Sequence, residues 1–343
     1  FIILFLFILS TTSVKSNNHQ IKIEGFLSKD FKITKLSTIE NAENKIILIN
    51  NHGQNTNDGK QKGCTSIDQI RNRVSLIDEK VKGKSIVLYN LCAGHIEGDM
   101  GMKWWISKKP NVGKHKLEKR VEQNLELIDK LVSLGVPRKQ IFVTGHSCGG
   151  LTTLLFFSRY PEKAGGGIAY APACFGKISK KYKAKKIGSE AALAKFKKKK
   201  PAQSDLRDKL NSEILNQLKT PLLVFTHPKD TYEGLTSDWL ENINGLNRII
   251  ISESSKAYHN IDVDLENEKG FYMVYKQVVQ RVSDFILEYD PHYEFPHMLV
   301  STIIEGAHHQ RYFAEHLPAL TDVEEGQNNI IRFYTNLVFS TLK

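Results

Sequence analysis

The sequence predicts an α/β protein built on a mostly parallel, doubly wound sheet. Three observations carry this expectation. Apolar, largely β-branched runs recur at 46–50 (IILIN), 85–89 (SIVLY), 141–145 (IFVTG), 166–170 (GGIAY), 221–226 (PLLVFT) and 248–252 (RIIIS). Runs without polar alternation suit strands buried on both faces, as parallel strands are. Between them lie amphipathic stretches with one apolar stripe: Ile67, Ile70, Val74, Ile77 and Val81, then Leu117, Val121, Leu125, Ile128 and Val132. Their steps of three and four are helical. Finally, the run at 141–145 passes straight into a helical stretch at 151–160. Strands alternating with helices place helices on both faces of one sheet.

The elements follow in chain order. The first nine residues, FIILFLFIL, are continuously apolar and lead into STTSVKS. A spanning helix needs about 20 apolar residues. Residues 1–16 therefore read as an incomplete signal peptide, with Val14 and Ser16 as the small residues of a cleavage site. The alternative is a buried N-terminal strand. A signal peptide makes the protein secreted or periplasmic and puts Cys64, Cys92, Cys148 and Cys174 in an oxidising compartment. Four cysteines allow three full pairings, and their spacing does not choose. There is no CxxC and no HExxH, so neither a metal nor a cofactor is expected. Residues 17–45 are read as one or two antiparallel edge strands. A helix is expected at 205–218 and another at 271–288. One domain over 17–343 then carries an insertion at about 175–219 and an extension at about 290–343. Thr321 and Glu324 fit a capping box in that extension.

The chain has 48 Lys and Arg against 37 Asp and Glu, a formal charge of +11 over 343 residues. The excess is local. Residues 177–200 hold eleven lysines and one acid, Glu190, which leaves +1 for the rest. A generally basic, nucleic-acid-binding fold is thereby excluded, and with Tyr182 and Phe196 as its only aromatics the segment offers little for base stacking. An anionic surface remains a possible partner of residues 177–200.

The strongest local signal is Gly145-His146-Ser147-Cys148-Gly149-Gly150. A strand before and a helix after make this G-x-S-x-G a nucleophile elbow, with Ser147 exposed at a strained turn. Glycines two residues to either side avoid clashes with the neighbouring strand or helix. A serine hydroxyl needs a base, and the base an orienting carboxylate, in the order Ser, acid, His for this architecture. Asp230 follows the 221–226 strand and His259 follows the 248–252 strand, so both reach the carboxyl edge of the sheet. Glu233 and Asp238 are read as surface residues. His227 lies too close to the strand end to be the base. His308 and His309 mimic the base position but require an insertion of about 50 residues, so His259 is preferred. The oxyanion hole is assigned to the backbone N–H groups of Cys148 and Gln54, the latter in the His52-Gly53-Gln54 loop after the first buried strand. His52 is read as shaping that loop.

The strand order, the His-Gly loop, the GHSCGG elbow, Asp230 and His259 resemble the α/β-hydrolase superfamily. Residues 135–162 (GVPRKQIFVTGHSCGGLTTLLFFSRYPE) are similar to the elbow region of its dienelactone-hydrolase and prolyl-oligopeptidase branches. The NLCAGHIEGD stretch, with Gly94, His95 and Gly98, stands near where many members have R-G-x-G. The resemblance covers roughly residues 40–290. It implies a serine hydrolase with a small-molecule ester or acyl substrate, with the lysine-rich insertion where many members carry a cap. Cleavage of a carboxylic ester through an acyl-enzyme on Ser147 is the expected activity; an amide or peptide substrate is the closest alternative. Trp104 and Trp105 are candidates to line the pocket, or to pack. A binding protein that uses its lysines on an anionic surface is the reading from a different class.

Overall fold

The computed structural model describes residues 20–21, 24–54, 65–66, 70–74, 76–78, 80–81, 83–92, 115–218, 222–243, 246–250 and 259. The signal-peptide segment, Cys64, the loop holding Trp104 and Trp105, the helix expected at 271–288, His308, His309 and the 290–343 extension lie outside the described residues.

Short strands β1 (Gln20–Ile21), β2 (Gly25–Leu27) and β3 (Ile33–Thr34) precede β4 (Lys45–Asn51). Next come β5 (Thr65–Ser66), α1 (Arg71–Val74), β6 (Lys80–Val81) and β7 (Lys84–Leu91). Then α2 (Lys116–Ser133) leads to β8 (Ile141–His146), α3 (Cys148–Arg159) and β9 (Gly166–Tyr170). Four helices, α4 (Ile178–Lys181), α5 (Ala184–Ile187), α6 (Ser189–Lys199) and α7 (Pro201–Gln217), separate β9 from β10 (Leu222–Thr226) and β11 (Leu246–Ile250).

The main sheet runs β11-β10-β9-β8-β4-β7-β2-β3, with β6 also paired to β7. From β11 to β7 every pairing is parallel, while β2, β3 and β6 add antiparallel pairs at the other side. The predicted runs are therefore the parallel strands, and 17–45 supplies the antiparallel edge. The chain winds from β4 outward to β7 and returns to β8 on the opposite side of β4. Such a reversal opens a crevice at the carboxyl ends of the flanking strands. Here it places the ends of β4 and β8 side by side, with Asn51 opposite Gly145.

Each face of the sheet has its own core. On one, Ile47, Ile49 and Val143 meet Leu117, Val121, Ile128 and Leu131 of α2 and Leu154, Leu155 and Phe157 of α3. On the other, Leu48, Phe142 and Ile168 pack with Ile70, Val74 and Ile77. Full burial of each such side chain contributes about 1.5–3 kcal/mol. α3 is apolar around most of its circumference and is buried along nearly its whole length, as a helix without a polar face must be. The backbone N–H of His115 donates to the Glu118 carboxylate at 3.0 Å and closes the start of α2.

Three expectations change. The stripe from Ile67 to Val81 predicts a helix, but among the described residues of that stretch only Arg71–Val74 is an α-helix, and Val81 belongs to β6. Gly83, at φ 75°, turns the chain so that Val81 pairs with Lys84 of β7, which a hairpin connection this short requires. The helix expected at 205–218 starts earlier, at Pro201 of α7, because the first helical turn tolerates the missing N–H of proline. The lysine-rich segment, where the sequence reading expects no helix, forms α4, α5 and α6. Ile178, Tyr182, Ala184, Ala192 and Phe196 are buried and anchor it to the core, and ten of its eleven lysines are exposed.

Candidate active site

The elbow is built by close packing. Ser147 has φ 55° and ψ −119°, a costly conformation for a residue with a Cβ. Its N–H donates to the Tyr170 carbonyl at 2.9 Å, and its carbonyl accepts from Leu151 at 3.0 Å and from Ala173 at 3.1 Å. A Cβ on Gly145 would overlap the backbone of Gly149, and one on Gly149 would overlap the Asn51 carbonyl at the end of β4. Only glycine allows α3 to start this close to both strands.

The structure brings the three predicted side chains together. His259 Nε2 lies 2.9 Å from Ser147 Oγ, and His259 Nδ1 lies 2.9 Å from Asp230 Oδ2. Asp230 is buried just past β10, and its other oxygen accepts the Tyr232 N–H at 2.8 Å. The Tyr232 ring stacks on the His259 imidazole with centroids 4.0 Å apart. Burial and the neighbouring Asp230 charge push the Tyr232 phenol upward, so it stays protonated. His146 Nε2 donates to the His259 backbone carbonyl at 2.8 Å. The sequence reading names His146 only as a member of the elbow and does not name Tyr232, because each meets His259 only through the fold.

Of the two assigned oxyanion donors, Cys148 follows the serine directly and Gln54 lies one residue beyond the glycine that abuts it. Cys148 is the first residue of α3, where N–H groups have no intrahelical acceptor. Gly53 abuts the elbow so closely that a Cβ there would sit 3.2 Å from Ser147 Cβ; Gln54 follows it. The loop rests on a buried polar cluster. Asn51 and Asn124 exchange two hydrogen bonds of 2.9 Å, and Arg120 Nε donates to Asn51 Oδ1 at 3.0 Å. The Arg120 guanidinium also donates to the Leu91 carbonyl and to Gln123. Burial pushes Arg120 down to about 9, so it remains charged at neutral pH. Burial, then the cations of Arg120 and Lys116, holds His52 well below the usual imidazole range. A neutral His52 donates from Nδ1 to the Gly53 carbonyl at 2.7 Å and stiffens the loop, the shaping role expected of it.

The rival residues separate clearly. His227 accepts the Lys229 N–H on Nδ1 at 3.0 Å and shapes the turn before Asp230. Asp238 is exposed. Glu233, read as a surface residue, is buried instead: Arg207 of α7 donates to it at 2.8 Å and to the Thr236 carbonyl at 2.7 Å. Burial of that carboxylate is possible because α7 brings a cation to it. Arg207→Ala leaves the carboxylate buried without this partner, and we expect a loss of about 3–5 kcal/mol in stability, read from the denaturant midpoint. Among the described residues no cluster of His, Cys, Asp and Glu could hold a metal ion.

Two of the cysteines are joined to each other: Cys148 and Cys174 form a disulfide. Cys92 is disulfide-bonded as well.

A family model described as serine aminopeptidase, S33, matches residues 112–230. No curated protein matches the chain by sequence. Among solved structures, the chain is similar to Est1E from Butyrivibrio proteoclasticus, with 14% identity over 74% of this chain and 91% of that one, at a TM-score of 0.43. A fungal esterase from Rhizomucor miehei gives 17% identity, 79% and 85% coverage and a TM-score of 0.47. A predicted CIB-like hydrolase from Thermoplasma acidophilum gives 16%, 78% and 98%, and 0.41. The sheet wound outward from β4 in both directions and the strained serine between β8 and α3 are similar to the α/β-hydrolase arrangement, and the family match lies across that same region.

Proposed function

We propose that the protein is an exported serine hydrolase that cleaves carboxylic esters through an acyl-enzyme on Ser147. The observation that carries this reading is the unbroken hydrogen-bonded line from Asp230 through His259 to Ser147 Oγ. His259 Nε2 takes the serine proton as Oγ attacks the acyl carbon, and Asp230 steadies the imidazolium through Nδ1. The backbone N–H groups of Cys148 and Gln54 receive the developing oxyanion. His259 returns the proton to the leaving alcohol, and water activated by the same imidazole then releases the acid. An alkoxide leaves more readily than an amide nitrogen, so ester cleavage makes the smaller demand on this machinery. The serine-aminopeptidase description of the matching family favours an amide as the second reading. Disulfide-bonded Cys92, Cys148 and Cys174 suit the oxidising compartment that export implies.

The test is covalent. A fluorophosphonate probe should label the protein at Ser147, and Ser147→Ala should not label. An unlabelled parent, or equal labelling of both, removes the hydrolase reading. A panel of short and long esters beside a peptide amide then sets the substrate.

The lysine-rich helices bear on which esters arrive. Lys177 Nζ lies 5.5 Å from the centroid of the Tyr232 ring that stacks on His259, so the cationic segment begins at the rim of the site. Exposed charges of one sign raise the arrival rate of opposite charges, and salt suppresses the effect over a Debye length of about 8 Å at physiological strength. kcat/KM for an ester bearing a carboxylate should fall as salt rises, while that of its uncharged analogue should stay level. Replacing Lys177, Lys180 and Lys181 by Gln should flatten the first curve; parallel salt curves for the two esters would remove any steering role.

A further inference from the structure

The Cys148–Cys174 bond joins two parts of the site that the chain itself keeps far apart. Their Cα atoms lie 4.6 Å from each other across a separation of 26 residues. Cys148 follows the serine and carries the first oxyanion donor. Cys174 lies in the segment that leaves β9, where Ala171, Pro172, Ala173 and Phe175 are buried and Cys174 itself is half-buried. Ala171, at φ 42°, turns this segment out of the sheet.

The same segment meets Ser147 at two further points. The Ala173 N–H donates to the Ser147 carbonyl at 3.1 Å, and the Ser147 hydroxyl lies 3.3 Å from the Ala173 carbonyl. Both distances are at the long end of the hydrogen-bond range. The disulfide adds a covalent constraint at this point. Residues 171–175 thus form a wall beside the nucleophile, and the disulfide fastens it to the residue whose N–H faces the developing charge.

We propose that Cys174 is a positioning residue of the hydrolysis: its bond to Cys148 fixes the wall segment and the Cys148 N–H against Ser147, so that the site is complete only in the oxidised protein. The proposal rests on Ser147 being the nucleophile. A dithiol reverses the state by transferring two electrons and two protons: the S–S bond breaks, both cysteines become thiols, and the dithiol closes to its own disulfide. The wall is then held by the two Ser147–Ala173 contacts, by the Ala171 N–H donating to the Phe225 carbonyl at 2.8 Å and by the burial of its apolar residues, with no covalent tie to Cys148. Oxyanion donors act on charge that exists only in the transition state. A displaced donor therefore lowers kcat more than it weakens substrate binding. Activity is thereby coupled to compartment: a chain kept reduced is nearly silent, and oxidation completes the site.

The full chain is assayed on a p-nitrophenyl ester beside Cys174→Ser and Cys174→Ala, which leave the bond at Cys92 in place. Losing an oxyanion donor outright costs about 10²–10³ in kcat, so a displaced one should cost about ten- to a hundredfold, with KM changed by less than about threefold. Inactivation by the fluorophosphonate should slow by the same factor. Reduction of the parent should reproduce the loss, reoxidation should reverse it, and the variants should not respond to reductant. A labelled, active parent beside variants with undiminished kcat overturns the proposal, as does a loss confined to KM. An unlabelled parent instead removes the reading of Ser147, which is a different result. Should circular dichroism show the variants unfolded, kcat of the folded parent is followed through reduction against the free thiol at Cys174 counted by mass spectrometry. Loss in step with that thiol supports the proposal, and full turnover with the thiol free overturns it.

Discussion

Ser147→Ala and His259→Ala should each lower kcat/KM on a p-nitrophenyl ester by about 10⁶-fold, and the double variant should fall no further. The two side chains act as one unit across a single 2.9 Å contact. Without the hydroxyl there is nothing to acylate; without the imidazole the hydroxyl keeps its proton. The residual rate comes from binding and from the backbone N–H donors, about 10³-fold over water, which neither substitution removes. Both variants should fold. Alanine retains the Cβ that the φ of 55° already accommodates at position 147. At position 259 the bond from His146 goes to the backbone carbonyl, which alanine keeps. His308→Ala is the control that decides the base: it should leave turnover intact. A His259→Ala enzyme with more than a few per cent of the parent rate would place the base elsewhere.

Features encoded locally were legible in the sequence. Apolar runs without polar alternation marked the parallel strands, since both faces of such strands are buried. Gly145 and Gly149 marked the elbow because no side chain fits there. Asp230 and His259 were legible from strand order, as the carboxyl ends of β10 and β11 open on the same crevice. What escaped depends on partners distant in sequence. Arg120 and Asn124 lie buried in an otherwise amphipathic helix and hold Asn51, about 70 residues earlier, which no local pattern signals. Glu233 read as surface because its cation, Arg207, comes from another helix. Three pairings of four cysteines were equivalent until the fold brought Cys174 to Cys148. The stripe from Ile67 to Val81 misled at its end because Val81 pairs with Lys84 of β7, a pairing that a helical period cannot express.

Asp230→Asn should cost about 10⁴-fold in kcat, roughly 5.5 kcal/mol of transition-state stabilisation, with KM little changed. The structure supplies the reason atom by atom. Asp230 uses one oxygen for the Tyr232 N–H and the other for His259 Nδ1. The Tyr232 backbone can only donate, so an asparagine must turn its carbonyl oxygen toward it. Its NH₂ then faces His259 Nδ1, which must become the acceptor. The proton is forced onto Nε2, the nitrogen that has to take one from Ser147 Oγ. The imidazole stays in place, and a geometric survey of the variant would find the line intact, but its direction is reversed. Asp230→Ala should be less selective, because it frees the ring instead of fixing the wrong tautomer. Glu233 cannot substitute while Arg207 and Thr236 hold its carboxylate. The check is single-turnover acylation with a p-nitrophenyl ester beside the pH dependence of the rate. If acylation by Asp230→Asn is within tenfold of the parent, Asp230 is not what sets the tautomer of His259.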